Sequence, residues 1–167
     1  MSTPILSIVG HSNAGKTTLL EKLLVCLCAQ GLRVVTVKHC HHQPELDQRG
    51  KDSWRHKQAG AVTTFLIGPR QLAMVKEIDA APTPQYLLQQ YGDDYDLMLV
   101  EGYSTLPGKK IEVLRAACQS SLRCPEQDLL AVVSDVDTLP QHLNVIDLND
   151  IDTLVTLVYQ WMEEEGD

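Results

Sequence analysis

The chain has 167 residues, 44% of them apolar, and sets 14 lysines and arginines against 22 aspartates and glutamates for a net charge of −8. A chain of this length suits one domain, residues 1–167, that buries about 70% of its unfolded surface, and the negative balance excludes a sequence-independent grip on nucleic acid, which needs a basic face. No segment approaches the roughly 18 apolar residues of a membrane span, and the N-terminus has no basic region ahead of an apolar core, so a soluble cytoplasmic protein is expected.

The first element is an apolar run over residues 5–9, and leucines at 19, 20, 23, 24 and 27 follow at helical spacing. Between them stands Gly10, His11, Ser12, Asn13, Ala14, Gly15, Lys16, Thr17 and Thr18, a full match to the phosphate-loop pattern G-x-x-x-x-G-K-[ST] in its strand-loop-helix setting. Gly10 and Gly15 let the backbone curl so that its N–H groups face an anion, and the helix adds the positive end of its dipole. Lys16 is placed to reach the β- and γ-phosphates, and the Thr17 hydroxyl to take one position in the octahedral shell of Mg²⁺.

Gly31 offers a helix stop, and residues 33–38 read as a second buried strand before a polar, histidine-rich loop. Residues 50–56 read as the entry to a short helix capped by Asp52 or Ser53. Residues 61–67, 68–71 and 72–75 predict strand, tight turn and strand, an antiparallel hairpin. A helix opens at Thr83-Pro84 and runs to about Tyr91. The run 96–102, with four apolar residues at 97–100, reads as the third central strand, covered on both faces. Residues 110–114, 129–134 and 144–146 add strands, and the chain closes on a helix capped by Asn149 or Asp150, with residues 163–165 as a solvated acidic tail. The alternation predicts an α/β fold resembling P-loop NTPases: a mostly parallel sheet flanked by helices, extended by the hairpin.

Beyond the loop, Glu101 emerges at the carboxyl end of a strand, where ligands of open α/β sheets collect. It can act on a Mg²⁺ ion, directly or through water, or orient a nucleophile, or simply tether a neighbouring loop; the adjacent Gly102 permits close backbone approach to a ligand. His39, Cys40, His41 and His42 follow the second strand. Adjacent residues of extended chain point alternately, so at most two could share a zinc ion. The alternative is a polar wall beside the γ-phosphate or a second substrate, made with Asp47, Lys51, Asp52 and His56. Asp47 and Glu101 are the candidate catalytic carboxylates, and with Thr17 the candidate Mg²⁺-side groups. Asp135 follows the strand 129–134 as either a purine contact or a turn residue; no N/T-K-x-D guanine signature is present, so the residues leave guanine and adenine open. The five cysteines, at 26, 28, 40, 118 and 124, form no C-x-x-C pair and are expected as free thiols, with at least one of Cys26 and Cys28 packing as a small apolar residue.

Taken together, residues 10–18 with asparagine before Ala-Gly-Lys, the run 38–42, Asp47, the run Gly50 to Ser53, His56, residues 59–61, the strand end Val100 to Tyr103, residues 109–113 and Arg115 closely resemble the MobB family of molybdopterin-guanine dinucleotide biosynthesis adaptors. The resemblance spans essentially the whole chain. It implies GTP as the ligand and weak intrinsic GTPase activity; with Mg²⁺ beside the phosphates, the candidate nucleotide-binding residues are residues 10–18, His39, Asp52, Gly102 and Asp135. It also implies a homodimer with an extended sheet, for which the hairpin is the candidate. The partners it implies are the molybdenum cofactor guanylyltransferase, molybdopterin-handling proteins and apo-molybdoenzymes. The competing reading is a P-loop small-molecule kinase or ligase using ATP, with Asp47 or Glu101 as base. A kinase lid rich in arginine would have to come from residues 102–123, half of which read as strand.

Overall fold

The computed structural model describes residues 3–40, 42–44, 47–92, 94–118 and 121–166. Its strands are β1 (Ile5–Gly10), β2 (Val34–Lys38), β3 (Thr63–Ile67), β4 (Leu72–Lys76), β5 (Leu97–Glu101), β6 (Lys110–Leu114), β7 (Leu129–Ser134) and β8 (Val145–Asp147). Its α-helices are α1 (Lys16–Ala29), α2 (Asp52–Gln58), α3 (Pro84–Tyr91) and α4 (Ile151–Gly166). A 3₁₀ turn, Glu126–Asp128, leads into β7.

The chain divides into two compact units, one of Met1–His39 with Pro84–Asp167 and one of Cys40–Thr83. In the first unit six strands lie in the order β2-β5-β1-β6-β7-β8, and every adjacent pair is parallel. The α/β expectation holds. On one face, Leu19, Leu23 and Leu27 of α1 and Leu154, Val158 and Trp161 of α4 bury against Leu6, Ile8, Leu99 and Ile111 of the sheet. Cys26 packs at the edge of this cluster, as a small apolar residue should. On the other face Met98 and Val100 pack with Leu106 and with Leu87 and Leu88 of α3. The chain leaves β1 for β2 on one side and later returns to fill both flanks of β1 with β5 and β6. The carboxyl end of β1 is therefore the switch point of the sheet, where a crevice opens between diverging connections.

Asp150 caps α4 as expected, its Oδ1 accepting the Thr153 N–H at 3.1 Å. Residues 163–165 are exposed but lie inside α4 rather than in a tail, because no glycine or proline precedes Gly166 to stop the helix. Five buried residues make up β6, including Lys110 and Glu112, so two charged side chains lie inside the sheet.

The second unit holds α2 and the two-stranded antiparallel sheet β3-β4. The pairing runs from Thr63↔Lys76 to Ile67↔Leu72, closed by the Gly68 N–H donating to the Gln71 carbonyl at 2.8 Å. The cap of α2 differs from expectation. Lys51 occupies the cap position with no side-chain capping bond, and Asp52 starts the helix. Ser53 donates instead to Asp47 Oδ1 at 2.7 Å, so its hydroxyl is already committed to the preceding loop.

Candidate functional site

The phosphate-loop motif leaves β1 at Gly10. A Cβ there would lie 2.4 Å from the Val113 carbonyl oxygen, and φ is +141°, so the loop begins where only glycine fits against β6. Asn13 (φ 62°) and Gly15 (φ 95°) supply the left-handed turns that bring the chain back to α1. Gly15 caps α1 without any side-chain bond, and the first intrahelical bond is Leu19 N–H to the Gly15 carbonyl at 2.9 Å. The amides of Lys16, Thr17 and Thr18 precede it. They are the orphan donors of a helix N-terminus, and they suit an anion.

Lys16 Nζ donates to the Gly10 carbonyl at 3.0 Å and to the His11 carbonyl, which ties the ammonium across the mouth of its own loop. Burial lowers the pKa of Lys16, and the charge of Glu101 works in the opposite direction. Ala14 is buried beneath the loop, whereas Ser12, Asn13 and Thr18 are exposed on it.

Glu101 closes β5 directly beside β1 and is buried, with 7% exposure. Its Oε1 accepts the Thr17 hydroxyl at 2.8 Å and lies 3.2 Å from Lys38 Nζ. A hydroxyl and a carboxylate side by side form a hard oxygen pair of the kind Mg²⁺ uses when it keeps most of its waters. Thr17 and Glu101 are thus brought together as the sequence suggests. Lys38 was not singled out as a site residue. The signal was available: Lys38 and Glu101 end two apolar strands that a parallel register places opposite each other.

Gly102 continues from Glu101 at φ 85°, its N–H donating to the Ile8 carbonyl at 2.9 Å, and a Cβ on it would sit 3.4 Å from the His39 carbonyl oxygen. The His39 N–H donates to the Glu101 carbonyl at 3.0 Å, and its ring stacks on Tyr103 with centroids 4.2 Å apart. Tyr103 is itself left-handed, at φ 62°. Gly102 and Tyr103 in succession turn the chain sharply away from β5 just after Glu101.

A cavity of about 250 Å³ opens beside the start of α1, lined by Gly15, Thr18, Lys22, Arg115 and Asn149 among others. Asp135 follows β7 and holds the segment after β6: its Oδ1 accepts the Ala116 N–H at 2.8 Å and its Oδ2 meets Arg115 Nε at 3.4 Å. These bonds, the Ala116 N–H first, hold its carboxyl below the usual aspartate range.

Asp47 and Asp52 belong to the second unit. Asp47 Oδ2 is buried and takes no hydrogen bond among the described residues, so one carboxylate oxygen is left to accept a further donor or a cation. Of the histidine loop, Cys40 and His42 are exposed, and His41 lies outside the described residues. No group of three or more His, Cys, Asp or Glu side chains that could hold a metal occurs among the described residues, and no helix is long and apolar enough to cross a membrane.

Residues 5–135 match the family model described as "Molybdopterin guanine dinucleotide synthesis protein B", MobB. The chain is 36% identical over 160 residues to the molybdopterin-guanine dinucleotide biosynthesis adapter protein of Haemophilus influenzae, covering 95% of this chain and 89% of that one. It is 34% identical over 173 residues to the protein of the same description from Escherichia coli, covering 98% and 95%. The crystal structure of Bacillus subtilis MobB superposes with a TM-score of 0.74 at 28% identity, covering 94% of this chain and 96% of that one. With a family model spanning most of its length and relatives matched nearly end to end, the chain belongs to the MobB family.

Proposed function

We propose that this protein binds GTP with Mg²⁺ at residues 10–18 and acts as a nucleotide-dependent adaptor in molybdopterin guanine dinucleotide biosynthesis. The observation that carries the reading is the Thr17–Glu101 pair at 2.8 Å beneath a glycine-framed loop whose helix amides are free of side-chain caps. The loop amides and Lys16 bind the phosphates. Thr17 and Glu101 would hold the Mg²⁺, which when bound neutralises charge on the phosphate oxygens. The cavity lined by Thr18, Lys22, Arg115 and Asn149 takes the nucleoside end, and Asp135 keeps Arg115 at its wall. Preference for guanine is carried over from the family.

The adaptor role is supported by relatives described as adapter proteins in this biosynthesis. Turnover is slow, as for P-loop GTPases without an assisting partner, at about 10⁻⁴ to 10⁻² s⁻¹. Such a rate suits a switch that assists a guanylyltransferase and hands cofactor to apo-molybdoenzymes in the cytoplasm. The protein acts as a homodimer joined through β3 and β4, whose exposed apolar face is otherwise unexplained.

Calorimetric titration with non-hydrolysable GTP and ATP analogues, each with Mg²⁺, on wild type and Lys16→Ala tests this. The expected result is binding of the GTP analogue that the variant loses. Unchanged affinity in Lys16→Ala overturns the phosphate-loop assignment, and a preference for ATP with phosphate transfer to a metabolite at about 1–100 s⁻¹ overturns the adaptor in favour of a kinase.

A further inference from the structure

Lys38 ends β2 as Glu101 ends β5, and the parallel register sets the two opposite each other at the carboxyl edge of the sheet. The backbone is pinned there, since the His39 N–H, one residue on, donates to the Glu101 carbonyl at 3.0 Å. The side chains meet as well, with Lys38 Nζ 3.2 Å from Glu101 Oε1. That same oxygen accepts the Thr17 hydroxyl at 2.8 Å. The ammonium therefore lies within two polar-contact lengths of a residue in the first turn of α1, directly behind the phosphate loop.

The two partners differ in freedom. The Glu101 side chain is 9% exposed, whereas that of Lys38 is 61% exposed on a flexible four-carbon stem. A buried carboxylate needs a counter-charge, and before any ligand arrives Lys38 supplies it. Lys38 and a divalent cation beside Thr17 compete for one oxygen and repel each other, so the exposed ammonium is the partner that gives way. An ion pair this open to water on one side is weak and yields readily. With its Cα fixed opposite Glu101, the displaced ammonium still sweeps the carboxyl edge of β5 beside β1, where the phosphate loop begins. In phosphate-loop proteins the cation at this threonine bridges the β- and γ-phosphates, which sets the γ-phosphate beside Thr17 and Glu101. The loop amides and Lys16 approach the phosphates from β1 and α1, and Lys38 approaches from β2, on the far side of β5.

We propose that Lys38 is a specificity residue of the nucleotide site: it balances Glu101 before nucleotide binds and passes to the γ-phosphate when a nucleoside triphosphate enters with Mg²⁺, so that it tells a triphosphate from a diphosphate. The inference rests on the nucleotide reading given above. A diphosphate offers no γ-oxygen, so Lys38 gains no charge-assisted bond from it. Discrimination of this kind comes from a contact that one ligand makes and the other lacks.

The test is calorimetric titration of the full chain with Mg²⁺ and either a non-hydrolysable GTP analogue or GDP, using wild type, Lys38→Met and Lys38→Arg. Lys38→Met keeps the stem and removes the charge, and because the side chain is exposed the variant is expected to fold. Wild type should prefer the triphosphate analogue. Lys38→Met should weaken binding of that analogue roughly tenfold, since a charge-assisted bond to phosphate is lost, and leave GDP affinity at the wild-type value. Lys38→Arg should recover part of the loss. Equal weakening of both ligands in Lys38→Met overturns the proposal and leaves Lys38 as a partner of Glu101 alone, and unchanged affinity for both overturns it as well. Equal binding of the two ligands by wild type overturns it too, because no discrimination is then present for Lys38 to supply. Absence of binding by wild type overturns the nucleotide reading beneath it, an outcome distinct from all of these.

Discussion

Thr17 Oγ1 and Glu101 Oε1, 84 positions apart in the chain, meet at 2.8 Å at the carboxyl ends of β1 and β5. The hydroxyl starts α1 and the carboxylate ends a strand, so the fold itself, through the parallel register Ile8↔Glu101, puts them together. Lys38, from the next strand out, completes a row across three strands by pairing with the same oxygen at 3.2 Å.

Glu101→Gln keeps an acceptor for Thr17 and removes the negative charge. If the carboxylate serves the cation, titrating Mg²⁺ into protein plus GTP analogue should show the requirement for metal rising about tenfold, the low end of the range for a group that supports a metal site. A variant whose Mg²⁺ dependence matches wild type would reduce Glu101 to a tether for α1 and β2.

Gly10 and Gly15 are both glycines of the motif, yet they answer different constraints. A Cβ on Gly10 would meet the Val113 carbonyl at 2.4 Å, and backbone cannot move aside cheaply, whereas nothing lies within 4 Å of a Cβ on Gly15. Gly10→Ala should therefore cost roughly 2–4 kcal/mol from overpacking plus left-handed strain, and Gly15→Ala only about 1–2 kcal/mol from strain. Urea melts of the two variants would measure the difference, and equal losses would mean that β1 and β6 separate freely at that point.

How far these positions can be read from sequence depends on where the constraint lies. Residues 10–18 are legible because one short segment carries the whole mechanism. The apolar runs of β1, β5 and β7 are legible because a strand buried on both faces has no polar alternation. The burial of Lys110 and Glu112 is not legible for the converse reason: Glu112 is satisfied by backbone from residues 123–124 and Lys110 by Asp128 at 3.0 Å. Partners supplied from 11 to 18 positions away leave no local pattern. The cap of α2 fails similarly, because Ser53 has the right chemistry for a cap and spends it on Asp47.

Acid should weaken the fold partly through Asp135 and Asp96. Asp135 is held below its ordinary pKa by the Ala116 N–H and then by Arg115, and Asp96 by the Arg33 N–H and then by the Arg33 side chain. A carboxyl with a lowered folded pKa binds fewer protons folded than unfolded, so it stabilises above the unfolded value of about 3.9 and that contribution disappears as pH falls through the folded value. Asp135→Asn should accordingly melt below wild type at about pH 7, with the gap narrowing at about pH 3. A gap of constant size would show that the geometry of the bond, and not its charge, holds residues 115–116.

The hairpin offers the plainest surface test. Its register places Phe65, Ile67, Leu72 and Met74 on one face, and Ile67 and Leu72 are 83% and 67% exposed. A two-stranded sheet is marginal in water by itself, and an apolar face of this kind is a liability unless another surface covers it. A second copy can do so symmetrically, residue for residue. Light scattering of the wild type should then report twice the 18.6 kDa chain mass, and Ile67→Asp/Leu72→Asp should return it to one chain. Because both side chains are exposed, the double variant is expected to keep its helical circular dichroism. A monomeric wild type, or a double variant that stays dimeric, would remove the hairpin as the interface.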